Sequence, residues 1–166
     1  SGGVMYEIYS INAREFLSLS KQFVSEELAQ NAFSYINTNL DEFEKFAFES
    51  NSQDRYKHVV AYALNADEKI IGFRYYFFKP DSAFCHLFAT FVDVEFRQKG
   101  IASNLILQSF NDARDSGCTE FEIRLTRPNI EKDGLFELYK NYASNNEKEC
   151  KFTIYYWTQV ERYGYA

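Results

Sequence analysis

Residues 92–105 read VDVEFRQKGIASNL, and this segment decides the fold because it joins an apolar strand to an amphipathic helix through a short polar loop. Apolar residues from Ile101 to Phe110 recur at helical spacing, and they predict a helix over Gly100–Ser116. The N–H groups in the first turn of a helix lack intrahelical partners, and the helix dipole adds positive charge there. The junction therefore predicts a site for a phosphate or pyrophosphate, although many helices that begin this way bind no ligand.

The residues of the loop favour such a ligand. Gly100 lets the backbone approach an anion with no Cβ in the way, and Ala102 keeps the next position small. Arg97 and Lys99 add positive charge to a chain that is otherwise acidic. The spacing matches neither the P-loop nor the Gly-x-Gly-x-x-Gly dinucleotide fingerprint.

The chain before this junction predicts one strand, two helices and then three strands. Met5–Ile11 alternates as a strand, and Asn12 caps a helix that carries Glu15 at its third position and continues through Phe16, Leu19, Phe23 and Val24. A second helix is predicted from Asn39, as its cap, to Ser50, and residues 28–37 are ambiguous. The three strands are predicted over His58–Leu64, Lys69–Lys79 and Ala83–Val94.

The chain after the junction predicts a strand over Thr119–Thr126, a helix over Asp133–Ala143 and one final strand over Lys151–Val160. The unit from Ala83 to Thr126 is expected to be a right-handed parallel crossover. The fold class is therefore α/β, with a mixed, largely antiparallel central sheet flanked by helices on both faces.

Length and composition limit the function. The 166 residues fit one domain over residues 5–166, and residues 1–4 look like a cloning remnant. A net charge of −6 argues against a nucleic-acid backbone binder and favours a cationic partner. The three cysteines have neither disulfide nor zinc spacing, so free thiols in the cytoplasm are expected and no metal is. No apolar run is long enough to span a membrane, and no leader segment opens the chain.

Arg97–Ala102, which lies after a long strand and before a helix, resembles the Arg/Gln-x-x-Gly-x-Gly/Ala signature of the GNAT superfamily of acyl-CoA-dependent N-acyltransferases. The preceding residues 92–96 and the element order from Met5 to Val160 are also similar to that family. Val94 stands where the family often has proline, and Ala102 replaces the second glycine. The family's second motif is resembled by Gly134–Tyr139.

The resemblance implies that acetyl-CoA is the co-substrate and that its acetyl group passes directly to an amine. The pyrophosphate would bind residues of the loop and the helix start: Arg97, Gln98, Lys99, Gly100, Ile101, Ala102 and Ser103. The pantetheine arm would pair with backbone near Val92 and Val94, where the family usually has a strand bulge and a V-shaped cleft. A backbone N–H could then polarise the thioester carbonyl.

Two residues are candidates for proton transfer. By the match to the second motif, Tyr139 would protonate the leaving thiolate, and its alternative is a packed tyrosine with a bonded hydroxyl. His86 lies where some family members carry an acidic residue, and a histidine can act as a base near pH 7. By strand alternation His86 would share a face with Thr90 and Val92 until a bulge intervenes, and its alternative is a buried structural histidine. The family also uses chains of water molecules as the base.

Other features leave the function open. The family often has an asparagine seven residues before the tyrosine of its second motif, and here that position is Lys132. Asn129 lies ten residues before Tyr139, so the resemblance does not assign it the role of that asparagine. A non-catalytic acyl-CoA-binding sensor or partner-binding module is therefore the alternative to an enzyme. The acceptor is expected to be a small amine or a peptide amine. It could meet Glu42, Glu44 and Glu49, although a solvated helix face explains these residues better. The final strand, 152–157, could pair with a second subunit to form a homodimer.

Overall fold

One mixed sheet organises the computed structural model, which describes residues 5–19, 22–49, 56–79, 83–125, 134–156 and 159–164. Its strands follow chain order: β1 (Tyr6–Asn12), β2 (Lys57–Asn65), β3 (Ile70–Phe78), β4 (Phe84–Val92), β5 (Glu120–Leu125), β6 (Lys151–Tyr156) and β7 (Gln159–Tyr163). The helices are α1 (Ala13–Leu17), α2 (Glu26–Ala32), α3 (Thr38–Glu49), α4 (Ile101–Asp115) and α5 (Leu135–Asn145). Strands β1–β4 are antiparallel, β4, β5 and β6 are parallel to one another, and β7 returns antiparallel.

Alternation along β3 gives the sheet two buried faces, as the sequence predicts. Phe73, Tyr75 and Phe77 point to the side covered by α1, α2 and α3. Tyr76 and Phe78 point to the opposite side, which α4 and α5 cover. The predicted fold class is therefore confirmed, and we call these the α1–α3 face and the α4–α5 face.

The first helical region differs from the prediction. Asn12 caps α1 by accepting a hydrogen bond from the Arg14 N–H at 2.8 Å, as expected. The helix then ends at Leu17, and Phe23 forms an isolated β-bridge with Ile70, so the predicted continuation to Val24 is wrong. A bridge to the sheet buries Phe23 as well as a helix turn would, which is why its spacing misled the prediction.

The second helical region begins earlier than predicted. Ser25 caps α2 by accepting from the Leu28 N–H at 3.2 Å, and a π-helical turn over Phe33–Asn37 joins α2 to α3. The ambiguous residues 28–37 are therefore helical. Asn39 is not a cap, because it lies inside this run and its side-chain amide donates to the Tyr35 carbonyl at 2.6 Å.

The predicted final strand is two strands. β6 and β7 form a hairpin in which Tyr156 pairs with Gln159 and Phe152 pairs with Tyr163. The reversal was concealed because neither residue between Tyr156 and Gln159, Trp157 or Thr158, is among those that dominate turns. β6 is paired with β5 on one edge and with β7 on the other, so of these two strands β7 is the one at an edge of the sheet, and β1 lies at the opposite edge.

The sheet opens between β4 and β5. Their parallel pairing begins at Phe84 with Glu120 and stops at Leu87 with Ile123, although β4 continues to Val92. At this point β4 has a bulge on its β3 side, because Leu87 pairs with Tyr76 whereas Ala89 pairs with Tyr75. The bulge and the lost pairing leave residues 88–92 of β4 without a partner on the β5 side among the described residues.

β4 ends two residues before the predicted boundary at Val94. The Asp93 N–H donates to the Ile71 carbonyl at 2.9 Å, and the Asp93 carboxylate accepts from the Glu95 N–H at 3.1 Å. These bonds begin a 3-10 turn over Val94–Phe96. Asp93 also accepts from the Ser25 hydroxyl at 2.6 Å, which ties this turn to the start of α2.

Candidate active site

A cleft of about 580 Å³ lies where β4 leaves β5 and the loop enters α4. Its walls come from the end of β4, the loop, the first turn of α4 and the first residue of α5. The lining residues are Thr90, Phe91, Val92, Arg97, Gln98, Gly100, Ile101, Ala102, Ser103 and Leu135. The cleft therefore lies along the end of β4 that has left β5.

The start of α4 offers hydrogen-bond donors to this cleft. Gly100 has a φ of 80° and no side chain caps the helix. The first intrahelical bond runs from the Asn104 N–H to the Gly100 carbonyl at 3.1 Å, so the N–H groups of residues 101–103 have no partner within the described chain. A Cβ on Gly100 would meet nothing within 4 Å, which shows open space at this point of the backbone. This geometry fits an anion.

The loop before α4 is held in an unusual conformation. Gln98 has a φ of 62°, which is uncommon for a residue other than glycine. Arg97 donates from Nε to the Val92 carbonyl at 2.9 Å, which fixes the loop to the end of β4. Together with the Asp93 bonds, this contact presents the loop backbone to the cleft in a defined shape.

Most of the predicted cofactor residues meet in the cleft, but two do not. Lys99 is exposed and does not line it. Val94 is 61% exposed in the 3-10 turn, so the predicted backbone pairing at Val94 has no strand to support it. Val92 does line the cleft, on the part of β4 that has left β5.

Tyr139 lies in α5, one helical turn beyond the cleft residue Leu135. It is 3% exposed and its ring centroid lies 6.0 Å from that of Phe110. Its hydroxyl makes no hydrogen bond with any described residue. The packed tyrosine of the alternative interpretation is present, whereas the bonded hydroxyl is not seen in this part of the chain.

Sequence reasoning missed Arg74, which lies next to Tyr139. Arg74 is 4% exposed in the middle of β3, and its Cζ lies 6.0 Å from the Tyr139 ring centroid. Its Nη1 donates to Thr90 Oγ1, in the cleft wall, at 2.8 Å. A charged residue inside an otherwise apolar run, Ile70–Phe78, was the available signal.

His86 lies on the opposite face from Val92. It pairs with Phe77 across β3, stacks on the Phe77 ring at 5.0 Å and faces α1–α3. The bulge at residue 88 reverses the alternation, so Thr90 and Val92 face α4 and α5 and the predicted shared face is wrong. Burial lowers the pKa of His86, which keeps the ring neutral at pH 7. His86 pairs with Glu122 just before β4 and β5 part.

His58, at the start of its strand, is expected from the sequence to be either structural or solvated, and it is buried. Its Nδ1 lies 2.6 Å from the Tyr75 hydroxyl on the α1–α3 face, and Phe43 packs on its ring at 5.3 Å. Burial lowers the pKa of His58 to about 4 and raises the pKa of Tyr75. Both groups are therefore neutral at pH 7. His58 alternates with the buried residue Val60, and this pattern predicts a buried side chain. The position of His58 at the start of a strand made the pattern hard to recognise.

The acidic residues of α3 do not form a charged pocket in the part of the chain that the structure describes. Glu44 makes an exposed ion pair with Arg14, and Glu42 is exposed. The side chain of Glu49 lies outside the described residues, as do Asn129 and Lys132. The solvated-face interpretation of Glu42 and Glu44 is the one that the structure supports.

The cysteines are free, as predicted, and all three are buried. Cys85 pairs with Phe78 of β3 and so faces away from His86. No group of three or more His, Cys, Asp or Glu side chains within the described ranges is arranged to hold a metal ion. No helix among these residues is long and apolar enough to cross a bilayer.

Comparison with known proteins agrees with the site geometry. The sequence profile described as the Acetyltransferase (GNAT) family matches residues 8–157. No curated protein sequence matches the chain significantly. Among solved structures, an aminoglycoside acetyltransferase from an uncultured soil metagenomic sample, in complex with sisomicin, is similar with a TM-score of 0.54 and 14% identity over 95% of this chain and 97% of that one.

A second aminoglycoside acetyltransferase from an uncultured soil metagenomic sample has a TM-score of 0.52 and 15% identity over 82% of this chain and 90% of that one. At these identities the structural likeness shows the fold. The match of the family profile to nearly the whole chain decides the class of protein to which the cleft belongs.

Proposed function

Because the chain belongs to the GNAT family of acetyltransferases, we propose that it transfers an acetyl group from acetyl-CoA directly to a primary amine of a small-molecule or peptide acceptor. One observation carries this proposal. The uncapped start of α4 opens onto a cleft that runs along the end of β4 that has left β5.

The residues of the cleft fit the parts of acetyl-CoA in order. The N–H groups of residues 101–103 suit the diphosphate, because they combine unpaired donors with the positive end of a 15-residue helix. The side of β4 that has left β5 offers backbone groups to the amide-rich pantetheine arm from residue 88 to Val92. The thioester then reaches the sheet opening near Tyr139.

Acetyl-CoA supplies an activated acyl group and needs no covalent enzyme intermediate. Tyr139 is the proposed acid, and its hydroxyl has no competing partner in the described chain. His86 is the proposed base, because it is neutral at pH 7 and lies on the α1–α3 face beside the point where β4 and β5 part. The amine would therefore approach from the face opposite α4. On that face the ring centroids of Phe91 and Tyr35 lie 4.8 Å apart.

The test of His86 is the pH dependence of kcat/KM for His86→Gln. A base is needed most where the acceptor is still ammonium, so the variant should lose most activity at the low end of the pH range and recover towards the acceptor's pKa. If the ratio of kcat/KM between His86→Gln and the native protein stays constant with pH, then water rather than His86 accepts the proton of the amine.

The test of the function is isothermal titration with acetyl-CoA, followed by thiol release with a panel of primary amines. We expect saturable binding and turnover with at least one cationic amine, because a net charge of −6 attracts such acceptors. Absence of binding at millimolar acetyl-CoA would overturn the proposal. Binding with no turnover on any amine would favour an acyl-CoA sensor.

Two further assignments belong to the same proposal. The three unpaired buried cysteines suit a reducing compartment, which favours the cytoplasm. A homodimer that forms through the C-terminal end of the sheet would use the edge of β7 rather than β6, which is paired on both sides. Gel filtration with light scattering distinguishes the monomer from the dimer.

A further inference from the structure

Arg74 is a buried cation whose charge has no counter-ion within the described chain. Only 4% of its surface is exposed, and every residue of β3 around it is buried. Its Nη1 bonds the neutral Thr90 hydroxyl, while Nε and Nη2 are buried with no hydrogen-bond partner. Burying a cation in this way is costly unless an anion pairs with it.

The neighbouring groups do not supply that anion. Asp112, which lies on the same face, accepts from Gln108 at 2.8 Å and from the Tyr76 hydroxyl at 3.4 Å, and makes no ion pair with Arg74. The Cys85 thiol is nearby, but its hydrogen bond with Cys118 and its burial raise its pKa, so it stays neutral. The two buried donors Nε and Nη2 of Arg74 therefore have neither an anion nor a hydrogen-bond partner among the described residues.

The position of Arg74 indicates which part of a ligand it meets. Its guanidinium lies between Thr90, in the cleft wall, and the ring of Tyr139. The start of α4, which suits the diphosphate, lines the same cleft as Thr90. Arg74 does not itself line the cleft but lies behind Thr90 in its wall, so a thioester that reached this wall would release its negative charge on sulfur beside the guanidinium.

We propose that Arg74 is a catalytic residue that stabilises the departing CoA thiolate with its Nε and Nη2 donors. The inference rests on the proposed acetyl transfer. The amine nitrogen bonds to the carbonyl carbon, the carbon–sulfur bond breaks, and its electron pair moves to sulfur beside the guanidinium. The sulfur then takes the Tyr139 proton, Tyr139 regains one from solvent, and the amine proton leaves through the base. Arg74 keeps all its protons throughout.

The charge pattern explains why such a group accelerates the reaction. A neutral thioester gains little from a cation, whereas a thiolate gains much, so Arg74 stabilises the transition state more than the bound substrate. The donors are already desolvated and fixed, so no reorganisation is needed when the charge appears. Loss of one such donor lowers kcat by about 100-fold to 1,000-fold in acyl transfer.

The decisive experiment compares the binding of CoA and of desulfo-CoA, which lacks the sulfur, to the native protein and to Arg74→Met from pH 6 to pH 9.5. In the native protein, affinity for CoA should rise with pH relative to desulfo-CoA. In Arg74→Met, CoA affinity at high pH should fall about 10-fold or more, because a hydrogen bond to a charged group is lost, while desulfo-CoA affinity stays within about 2-fold. Arg74→Lys should be intermediate.

Controls separate the failure of this inference from other failures. Arg162→Met, on the exposed side of β7, should change neither affinity. Thr90→Val removes the one hydrogen bond that orients Arg74 and should give a smaller loss in the same direction. Arg74→Met should remain folded by circular dichroism, because removing an unpaired buried charge is not destabilising in itself.

Each outcome has one meaning. Equal losses for CoA and desulfo-CoA in Arg74→Met would show that Arg74 only supports the cleft, and unchanged affinities would show that it does not meet the sulfur. Either result overturns the inference while leaving acetyl transfer in place. If the native protein binds neither CoA nor desulfo-CoA, the proposed acetyl transfer itself is wrong.

Discussion

Tyr139, which lies one helical turn beyond the cleft residue Leu135, is the proposed acid. Replacing it with phenylalanine removes one oxygen and leaves the ring packing against Phe110. We expect Tyr139→Phe to lower kcat by about 10²-fold or more, in the range of general acid catalysis, with little change in acetyl-CoA affinity. Steady-state kinetics with thiol detection measures this, and Tyr142→Phe on the same helix is the control. Unchanged kcat would remove Tyr139 as the acid.

His58 gives the free energy of unfolding a pH dependence of defined sign. Its pKa is lowered by burial to about 4 in the folded chain and is about 6.5 when unfolded, so the unfolded state binds an extra proton between these values. The contribution is fully present above pH 6.5 and is lost as the pH falls towards 4, by about 3 kcal/mol.

His58→Asn tests this prediction, because the Asn amide oxygen can replace Nδ1 at the Tyr75 hydroxyl without titrating. Urea unfolding at pH 7 and pH 4.5 should show a smaller loss of stability for the variant than for the native protein. Equal losses in the two proteins would mean that His58 does not titrate in this way.

At the scale of elements, the start of α4 is the feature that the sequence predicted best. Its glycine, its apolar spacing and the strand before it are local properties, and local properties can be read from neighbouring residues. The prediction that His86 and Val92 share a face failed because β4 contains one extra residue at its bulge. The bulge in β4 moves His86 to the other face from Val92, and alternation alone cannot place a bulge.

Arg74 shows the other limit at this scale. From the sequence, a single arginine in an apolar strand can be interpreted as an exposed residue at a sheet edge or as an exception to the alternation of apolar and polar residues. Its significance depends on Thr90, sixteen residues later, and on Tyr139 in α5. Such contacts between distant elements require the tertiary fold, which a single sequence does not specify.

Gly100 allows the role of α4 to be tested against a matched control. Gly100 and Gly117 both have positive φ, of 80° and 96°, and an added Cβ meets nothing within 4 Å at either position. Alanine at each should cost about 1–2 kcal/mol of stability. Only Gly100→Ala places a methyl group in the cleft, so only it should weaken CoA binding, by about 10-fold.

Isothermal titration with CoA and thermal unfolding of both variants measure these effects. A similar loss of affinity in Gly117→Ala would mean that backbone strain, rather than the methyl group in the cleft, weakens binding. Native affinity in Gly100→Ala would place the diphosphate elsewhere.

For the whole molecule, binding of CoA to the folded chain alone would raise the free energy of unfolding. CoA at 100 times its Kd should add about 2.7 kcal/mol to the free energy of unfolding. For a chain of 166 residues this corresponds to a rise in Tm of about 5–10 °C. Pantetheine at the same concentration lacks the diphosphate and should shift the Tm much less. Equal Tm shifts with CoA and pantetheine would mean that the diphosphate contributes little to binding.

The pairing of the strands bears on how one site would serve the two proposed substrates. Among the described strands the sheet is paired throughout except where β4 leaves β5. In the proposed reaction, acetyl-CoA would approach this opening from the side of α4 and the amine from the side of α2 and α3. Direct transfer requires this meeting of both reactants at one carbon.

The most direct test is the crystal structure of the protein with CoA. The account predicts diphosphate oxygens within about 3.2 Å of the N–H groups of residues 101–103 and a pantetheine arm along β4 between residue 88 and Val92. A diphosphate bound away from the start of α4, or a pantetheine arm outside the gap between β4 and β5, would contradict it.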